Sequence, residues 1–357
     1  MVSLSVEVFG LKLRNPILTA AGPIMRDASA LLEAAESGVG GLVTNTITRN
    51  PSLTYPYLCK VREGILSAAL CSPYKPEFWV KEIVQVKRSG LPLIVSIGFT
   101  LEDVKEIAPL MIEAGADAVE ISVARRMTPS EFRQMVSGAR KIISKPIIFK
   151  LNTNMVNLKE FAQIAQQEGA DGLTVIDAVG PAIAIREDGL SMLGSLGGEG
   201  WLSGPPIKPL ALKALAEVCS SVSIPVLGAG GVNDGRDAAE FIMMGAWGVE
   251  VNSACILRGS KIYGQIVKEL LQFMQMRGYQ RIEEMRGVAL RHLPKVPFTS
   301  PKVPEVFLAR CTSCGLCVRY CFYGAVKLVG KAPRIDNSRC TGCGLCVSVC
   351  PSGALRL

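Results

Sequence analysis

Apolar and polar positions in the first 290 residues follow two alternating patterns. Short runs rich in valine, isoleucine and leucine recur along the chain between glycines and prolines, which is typical of strands buried in a parallel sheet. Most of these runs are separated by stretches with the helical period, such as Leu101–Glu113 and Leu158–Glu168. The eight predicted strands are Pro16–Gly22, Gly41–Thr48, Leu91–Gly98, Ala116–Val123, Lys145–Asn152, Asp171–Ala178, Ile224–Gly231 and Ala246–Ala254.

Eight strands, each followed by a helix or a long loop, predict a (β/α)8 TIM barrel in a protein of the α/β class. Glycines mark the helix ends in this pattern. Gly115, Gly169 and Gly245 each follow a helical stretch and come immediately before a strand. An open, doubly wound parallel sheet is the alternative fold. Ahead of the first barrel strand, the alternation over residues 4–8 predicts a short hairpin at the bottom of the barrel.

The C-terminal end of the chain carries eight cysteines in two runs of equal spacing. Each run reads C-x2-C-x2-C-x3-C, and Pro351 follows the second. This is the spacing of a bacterial ferredoxin, in which three cysteines of one run and the fourth of the other bind each [4Fe–4S] cluster. A pair of zinc knuckles is the alternative, but the repeated four-cysteine run favours iron–sulfur clusters. One predicted ligand set is Cys311, Cys314, Cys317 and Cys350, and the other is Cys340, Cys343, Cys346 and Cys321.

Four prolines between residues 293 and 304 mark a linker between the two patterns. We therefore predict a barrel domain over residues 1–292, a linker over residues 293–304 and a small α+β ferredoxin domain over residues 305–357. The last segment is too short to bury a large core, so its clusters are expected to supply much of its folding free energy. The four remaining cysteines are scattered, which is more typical of buried thiols than of disulfides.

The net charge of +8 does not by itself indicate nucleic-acid binding. Residues 301–357 contain eight Lys or Arg and two Asp or Glu, and two oxidised clusters with their thiolates return about four negative charges. No nucleic-acid-binding motif accompanies this basic tail, so no nucleic-acid partner is expected. The sequence has no apolar stretch long enough to span a bilayer and no leader pattern at its start, which predicts a cytoplasmic protein without a membrane partner.

Glycines follow the last two predicted strands of the barrel. Strand seven ends in Gly228–Gly231 and strand eight in Asn252–Ala254. In (β/α)8 barrels phosphate groups commonly bind after these strands, and glycine lets backbone N–H groups approach phosphate oxygens. A tight turn without a ligand is the alternative interpretation of the same residues.

Three segments of the barrel resemble the FMN domain of class 1 dihydroorotate dehydrogenases and, more closely, of dihydropyrimidine dehydrogenase. They are Asn15–Gly22, Trp201–Pro209 and Ile224–Gly231. A barrel of this type followed directly by a two-cluster ferredoxin resembles the bacterial iron–sulfur dihydropyrimidine dehydrogenase subunit. The resemblance implies one FMN and two [4Fe–4S] clusters. It implies FMN contacts from Ala20, Ala21, Gly22, Thr44, Asn45, Lys150, Asp177, Ser203, Gly204, Gly230, Gly231, Ser253 and Ala254.

The resemblance also assigns residues to the flavin edge and to the substrate. Lys150 matches the family's strand-five lysine beside flavin N1 and O2, where a cation stabilises the anionic reduced flavin. A strand-end lysine facing solvent is the alternative. The family's second lysine is replaced by Asn45, and its three pyrimidine-reading asparagines are matched by Ser67, Ser122 and Asp177. These replacements predict weak contacts with a pyrimidine ring.

The family's active-site cysteine, carried on a loop after strand four, has no counterpart in this chain. Arg125 lies about where that cysteine would be, and strand four leads directly into a helix with the capping box Thr128–Glu131. Arg125 and Arg126 are candidate contacts for a substrate carboxylate or phosphate, or alternatively point outward and pair with acidic residues. Cys71 is a candidate proton donor, although packing is the commoner role of such a cysteine.

The expected function is an FMN- and iron–sulfur-dependent oxidoreductase that acts on CH–CH bonds. Hydride would pass between flavin N5 and a C–C bond next to a carbonyl, with electrons relayed through the clusters. The replaced asparagines and the missing cysteine favour a non-pyrimidine, anionic small molecule as substrate. The alternative is a non-catalytic electron-transfer subunit of a larger complex. Because the sequence lacks a dinucleotide fingerprint, the expected electron partner is an NAD(P)H-dependent flavoprotein or a ferredoxin, and a homo-oligomer is expected.

Overall fold

The structure is a computed structural model that describes residues 2–123 and 127–357. The chain divides into two compact units, Met1–His292 and Leu293–Leu357, which are described separately. None of the helices in the described ranges is both long and apolar enough to cross a membrane.

The first unit alternates strands and helices as the hydrophobic pattern predicts. Its strands are β1 (Val6–Val8), β2 (Leu11–Leu13), β3 (Ile17–Thr19), β4 (Leu42–Val43), β5 (Leu58–Val61), β6 (Gly64–Ser67), β7 (Leu93–Ile97), β8 (Ala118–Ser122), β9 (Ile147–Leu151), β10 (Gly172–Val175), β11 (Val179–Ile183), β12 (Glu199–Ser203), β13 (Val226–Ala229) and β14 (Gly248–Val251). Its helices are α1 (Ala28–Glu36), α2 (Pro76–Val86), α3 (Leu101–Glu113), α4 (Pro129–Ile142), α5 (Leu158–Gln167), α6 (Lys208–Cys219), α7 (Gly235–Met243), α8 (Ser253–Arg258), α9 (Ile262–Arg277), α10 (Ile282–Met285) and α11 (Val288–His292).

Eight parallel strands form a barrel in the order β3-β14-β13-β10-β9-β8-β7-β4. The sheet closes on itself, because the N–H of Gly40 donates to the carbonyl of Ile17 at 2.7 Å and the N–H of Thr19 donates to the carbonyl of Gly41 at 3.3 Å. Every predicted strand contains one of these eight. The (β/α)8 prediction is confirmed, and the open doubly wound alternative is wrong.

Helices surround the barrel, and the longer ones bury an apolar stripe against it. In α3, for example, Val104, Ile107, Ala108 and Met111 are fully buried, at the i, i+3, i+4, i+7 spacing of an amphipathic helix. The predicted capping box at the start of α4 is also present, since the hydroxyl of Thr128 accepts from the N–H of Glu131 while the Glu131 carboxylate accepts from the N–H of Thr128.

An antiparallel hairpin of β1 and β2 lies at the N-terminal end of the barrel strands. Its inward side chains Val6, Val8 and Leu13 are at most 5% exposed. At its turn, the ring of Phe9 occupies the space beside Gly172, where a Cβ would lie 1.9 Å from a ring carbon. The hairpin therefore closes the bottom of the barrel and leaves the opposite end available for a ligand.

A second sheet of four antiparallel strands, ordered β11-β12-β6-β5, was not predicted. Its strands come from two long connections, one between β4 and α2 and the other between β10 and α6. The two connections meet where Trp201 of β12 pairs with Ser67 of β6. Because both connections leave the C-terminal ends of barrel strands, this sheet contributes to the catalytic end of the barrel, and we call it the lid sheet.

The second unit is built from two similar halves. Its elements are α12 (Leu316–Arg319), α13 (Leu345–Ser348), β15 (Glu305–Val306), β16 (Val326–Val329), β17 (Ala332–Ile335) and β18 (Leu355–Arg356). Strands β15 and β18 pair, β16 and β17 form a hairpin, and each short helix carries the third cysteine of one run. The small core consists of Val326 and Leu355 with two cysteines, Cys317 and Cys346.

Candidate functional site

A cavity of the first unit opens between the barrel mouth and the lid sheet. The space between its walls, together with the open solvent at its mouth, is about 840 Å³, and its concave shape is typical of small-molecule and cofactor sites. We call it the primary cavity. Its lining residues are Ala21, Gly22, Pro23, Asn45, Thr46, Leu58, Ile65, Ser67, Ala69, Leu70, Phe99, Ser122, Val123, Lys150, Asn152, Asp177, Ala178, Trp201, Ser203, Asn252 and Ile256.

A second cavity of about 390 Å³ adjoins the first and extends towards the ends of β13 and β14. We call it the phosphate-side cavity. The two cavities share five lining residues and therefore form one continuous site. The shared residues are Ala21, Lys150, Asp177, Ser203 and Asn252. The phosphate-side cavity is additionally lined by Ala20, Ala229, Gly230, Gly231, Val232, Glu250 and Ser253.

The phosphate-side cavity has the backbone of an anion cradle. Gly230 and Gly231 have φ angles of 102° and 92°, a conformation that favours glycine. A Cβ on Gly231 would lie 2.8 Å from the backbone nitrogen of Lys208 and 2.9 Å from the carbonyl oxygen of Gly204. The Ser253 hydroxyl donates to Ser203 across the cavity at 2.9 Å. Backbone and hydroxyl groups here fit the phosphate end of a flavin nucleotide.

Asn252 occupies the boundary between the two cavities and has a buried acceptor that needs a ligand. Its Oδ1 has no hydrogen-bond partner among the described residues, although buried polar atoms normally have one. A Cβ on Gly22 would lie only 2.0 Å from Asn252 Nδ2, so a larger residue there would displace the amide. A polar cofactor bound along this wall would satisfy the orphaned oxygen, which supports the fit of FMN.

Lys150 lies at the base of the site and forms ion pairs with two buried glutamates of other barrel strands. Its Nζ is 2.6 Å from a carboxylate oxygen of Glu250 and 3.2 Å from one of Glu120. The hydroxyl of Thr174 lies 2.9 Å from Glu120 and 3.3 Å from Glu250. All four side chains are at most 2% exposed. The predicted cation is therefore present in the cavity wall, but buried carboxyl groups accompany it.

Burial and these contacts set the ionisation of the cluster. Burial alone lowers the pKa of Lys150, but the charges of Glu120 and Glu250 outweigh it and raise that pKa above its ordinary value. Lys150 is thus a cation throughout the physiological range. Asp177 opens onto both cavities, yet the surrounding protein desolvates its carboxyl group and raises its pKa, against the lowering effect of Lys150.

Most of the residues assigned by resemblance converge on the two cavities, but four do not. The hydroxyl of Thr44 is fully buried and bonds to Asn45 and Ser96, whereas nearby Thr46 lines the primary cavity. The other three assigned residues outside the linings are Gly204, Ala254 and Cys71. Cys71 is 7% exposed, so a proton-donor role would require it to reach the cavity from a buried position. The candidates Arg125 and Arg126 lie outside the described residues.

Several lining residues were missed at the level of sequence. They are Thr46, Phe99, Asn152, Trp201 and Asn252. Trp201 could not be placed because its strand belongs to the unpredicted lid sheet. The two buried glutamates carried a usable signal, since Glu120 and Glu250 each interrupt an apolar strand, as Lys150 does. Buried charges are normally paired, so three charged strand centres predict a cluster inside the barrel.

The eight motif cysteines surround two separate cavities in the second unit, each of about 340 Å³. One is lined by Cys311, Cys314, Cys317 and Cys350, and the other by Cys321, Cys340, Cys343 and Cys346. Within the described residues no group of three or more His, Cys, Asp or Glu side chains is placed to hold a single metal ion. A cubane has no such requirement, because its thiolate ligands are distributed over four irons.

Comparison with known proteins assigns each unit to a family. Residues 123–274 match the model of the dihydroorotate dehydrogenase family, and residues 310–354 match the model of the 4Fe-4S dicluster domain. Relatives named dihydroorotate dehydrogenase B (NAD(+)), catalytic subunit, include one from Pyrococcus abyssi, 30% identical over 302 residues that cover 81% of this chain and 99% of the relative. A relative of the same name from Methanothermobacter thermautotrophicus is 31% identical over 302 residues, which cover 80% of this chain and 98% of that relative.

The matches confirm the predicted resemblance to dihydroorotate dehydrogenases and the predicted two-cluster iron–sulfur domain. They also confirm the predicted cofactors, FMN in the barrel and [4Fe–4S] clusters in the second unit, and the predicted class of enzyme, an oxidoreductase acting on CH–CH bonds.

Proposed function

Because this chain belongs to the dihydroorotate dehydrogenase family, we propose that it transfers hydride between FMN and a CH–CH bond next to a carbonyl group, with electrons relayed through two [4Fe–4S] clusters. The observation that carries the proposal is the continuous site formed by the phosphate-side and primary cavities. One end suits the phosphate of FMN, and a second, small molecule would bind at the other end, under the lid sheet. FMN supplies the two-electron chemistry, and the protein supplies binding, orientation and electrostatics.

The chain's own groups take distinct parts in this proposal. Gly231 and Ser253 hold the phosphate end, and Lys150 presents its cation to the flavin edge from the floor of the site. Trp201 and Ser67, from paired lid strands, cover the second molecule and exclude water from it. Exclusion of water strengthens the electrostatic interactions within the site.

The first candidate substrate is dihydroorotate. It is supported by the names of relatives that this chain matches over nearly their whole length, 98–99% for those from Pyrococcus abyssi and Methanothermobacter thermautotrophicus. An active enzyme is also better supported than a non-catalytic electron-transfer subunit, because these relatives are named as catalytic subunits.

The second candidate is a non-pyrimidine anion. It is supported by Ser67, Ser122 and Asp177, which line the primary cavity where the family's pyrimidine-reading asparagines are expected. Neither serine can make the paired donor and acceptor contacts of an amide. In this proposal Arg125 and Arg126 bind the anion.

Ligand binding distinguishes the two candidates. Orotate, uracil and a series of unsaturated carboxylates would be titrated anaerobically into the oxidised protein while the flavin spectrum is recorded. Tight orotate binding that is unaffected by replacing both arginines with alanine supports the first candidate. Binding of a carboxylate that the double variant loses, by roughly 2–5 kcal/mol, supports the second. A Ser122→Asn variant that gains uracil affinity would further implicate this wall.

The proposal includes a protein electron partner, an NAD(P)H-dependent flavoprotein or a ferredoxin. Its support is the exposure of one ligand in each cysteine set, Cys314 and Cys343, which places each cluster near the surface of the second unit. Reduction of the clusters by NADH only when such a partner is added would support it. We also propose a homo-oligomer, which light scattering of the purified protein tests.

A further inference from the structure

Three ionisable side chains are sealed inside the barrel directly beneath the flavin site. Glu120, Lys150 and Glu250 come from β8, β9 and β14 and are at most 2% exposed. Both carboxyl groups lie within ion-pair distance of the single ammonium group, at 3.2 and 2.6 Å. The hydroxyl of Thr174 on β10 lies between the two carboxyl groups, at 2.9 and 3.3 Å.

The charge of this cluster depends on one proton. With both carboxyl groups ionised, the cluster would carry a net charge of −1 on side chains that are at most 2% exposed, which is strongly unfavourable. With one proton on the pair, the charges cancel. A single proton also completes the hydrogen bonds, because the Thr174 hydroxyl can donate to one carboxyl group and accept from the other.

Among the residues that the structure describes, no other charged side chain inside the barrel offsets the cluster. Strands β3 and β7 contribute the neutral side chains Thr19 and Ser96, and Thr44 follows β4; all three are fully buried. Among the described residues of the cavities, the remaining ionisable side chain is Asp177, which follows β10. Asp177 would add negative charge when ionised, so it cannot neutralise an ionised glutamate pair.

We propose that Glu120 and Glu250 share one proton at neutral pH, so that the cluster they form with Lys150 is electrically neutral beneath the flavin. The proposal rests on FMN binding as set out under the proposed function, but not on which compound is the substrate. Both glutamates act on the flavin through Lys150 and are positioning residues.

The electrostatics of the pair agree with this assignment. Burial and the negative charge of Glu120 raise the pKa of Glu250 well above its ordinary range. Burial also raises the pKa of Glu120. The charge of Lys150 and the hydrogen bonds outweigh this effect, and they hold the pKa of Glu120 below its ordinary value. The distances do not single out the same residue for the proton, because the Lys150 ammonium lies nearer to Glu250 whereas the Thr174 hydroxyl lies nearer to Glu120. We therefore assign the proton to the pair rather than to one residue.

The test compares Glu120→Gln, Glu250→Gln and the double variant, which are close in shape to the wild type. The flavin midpoint potential is measured at pH 7 by anaerobic spectroelectrochemistry. Each single variant should match the wild type, because the remaining glutamate ionises and the cluster stays neutral. The double variant should have a higher potential, because the charge of Lys150 is no longer offset. Two single variants that each raise the potential would show that both glutamates are ionised, and would overturn the proposal.

A second measurement does not need flavin or turnover. Infrared spectra of the protein in H2O and D2O should show the carbonyl band of a buried carboxylic acid in the wild type, and each single variant should lose it. Absence of the band from the wild type would overturn the proposal even if a variant released its flavin. Glu217→Gln, on the exposed face of α6 and paired with Lys213, is the matched control and should change neither measurement.

Discussion

Gly22 and Asn252 approach so closely that a Cβ at position 22 would lie 2.0 Å from Nδ2 of Asn252. The contact sets the position of an amide whose Oδ1 is buried without a partner. Since both residues line the primary cavity, the path of the chain after β3 and the shape of the flavin site are linked at this point.

The first prediction follows from that contact. Gly22→Ala should displace Asn252 and lower the FMN content of the purified protein, whereas the iron content should stay at about eight per chain. Flavin and iron are measured on the same anaerobic preparation. Gly138→Ala is the control, because its Cβ would meet only the flexible side chain of Leu101. Full FMN occupancy in the Gly22 variant would show that Asn252 has no part in the flavin site.

The second prediction concerns Lys150. Replacing it with methionine removes the cation from the cavity wall, so the flavin should become harder to reduce. The expected change in the reduction free energy is on the order of 1.4 kcal/mol, equivalent to one pKa unit of electrostatic interaction. The flavin midpoint potential measures it. Lys213→Met, on the surface of α6, should leave the potential unchanged, and an unchanged potential in the Lys150 variant would place the ammonium away from the flavin.

The third prediction concerns Asp103, which ties two loops of the barrel mouth together. Its carboxylate accepts from the backbone N–H groups of Arg49, Phe99 and Thr100 at 3.0–3.2 Å. Burial raises the pKa of Asp103, but these hydrogen bonds outweigh it and hold the pKa below its ordinary value. Asp103→Asn should therefore lower the free energy of unfolding at neutral pH by about 1–3 kcal/mol.

The loss of unfolding free energy caused by Asp103→Asn should depend on pH in one direction. Because the folded pKa of Asp103 is depressed, its stabilisation is present at neutral pH and is lost as the pH falls below about 4. The difference between wild type and Asp103→Asn should narrow over the same range. Urea unfolding followed by the fluorescence of the buried Trp79 measures both proteins. A difference that does not change with pH would mean that ionisation of Asp103 makes no contribution.

The fourth prediction separates the two iron–sulfur clusters. Cys350→Ala should remove the cluster bound by Cys311, Cys314 and Cys317, although Cys350 belongs to the other sequence run. The iron content should fall from about eight to about four per chain, while Cys59→Ala, outside both cysteine cavities, should keep its iron. Loss of the cluster bound by Cys340 instead would assign Cys350 to its own run.

Hydrophobic periodicity predicted the barrel because its strands lie in buried, largely apolar runs that recur along the chain between helical stretches. It did not predict the lid sheet, since β5 and β6 are only four residues each and lie in a long segment rich in proline and tyrosine. Strand pairing there depends on contacts distant in sequence, such as Trp201 with Ser67. Residue patterns within one segment contain no information about such a partner.

The residues of the candidate site also fall into two groups, those that the sequence predicted and those that it missed. The glycine cradle and Lys150 were found because short motifs place them at the ends of strands. Asn252 and Trp201 were missed because their roles depend on distances to Gly22 and Ser67, more than 100 residues away in sequence. The partners of Lys150 were likewise missed, although Glu120 and Glu250 each interrupt an apolar strand, because that signal has to be compared across three strands rather than found within the segment of Lys150.

Anaerobic rapid mixing tests the proposed reaction most directly. The protein is reduced through its clusters, and orotate, uracil or an unsaturated carboxylate is then added while flavin and cluster absorbance are followed separately. We predict that at least one compound with a C=C bond next to a carbonyl reoxidises the flavin and is recovered with that bond saturated. If the flavin stays reduced with every compound while the clusters still exchange electrons with an added carrier, the chain is an electron-transfer subunit and the proposed reaction is wrong.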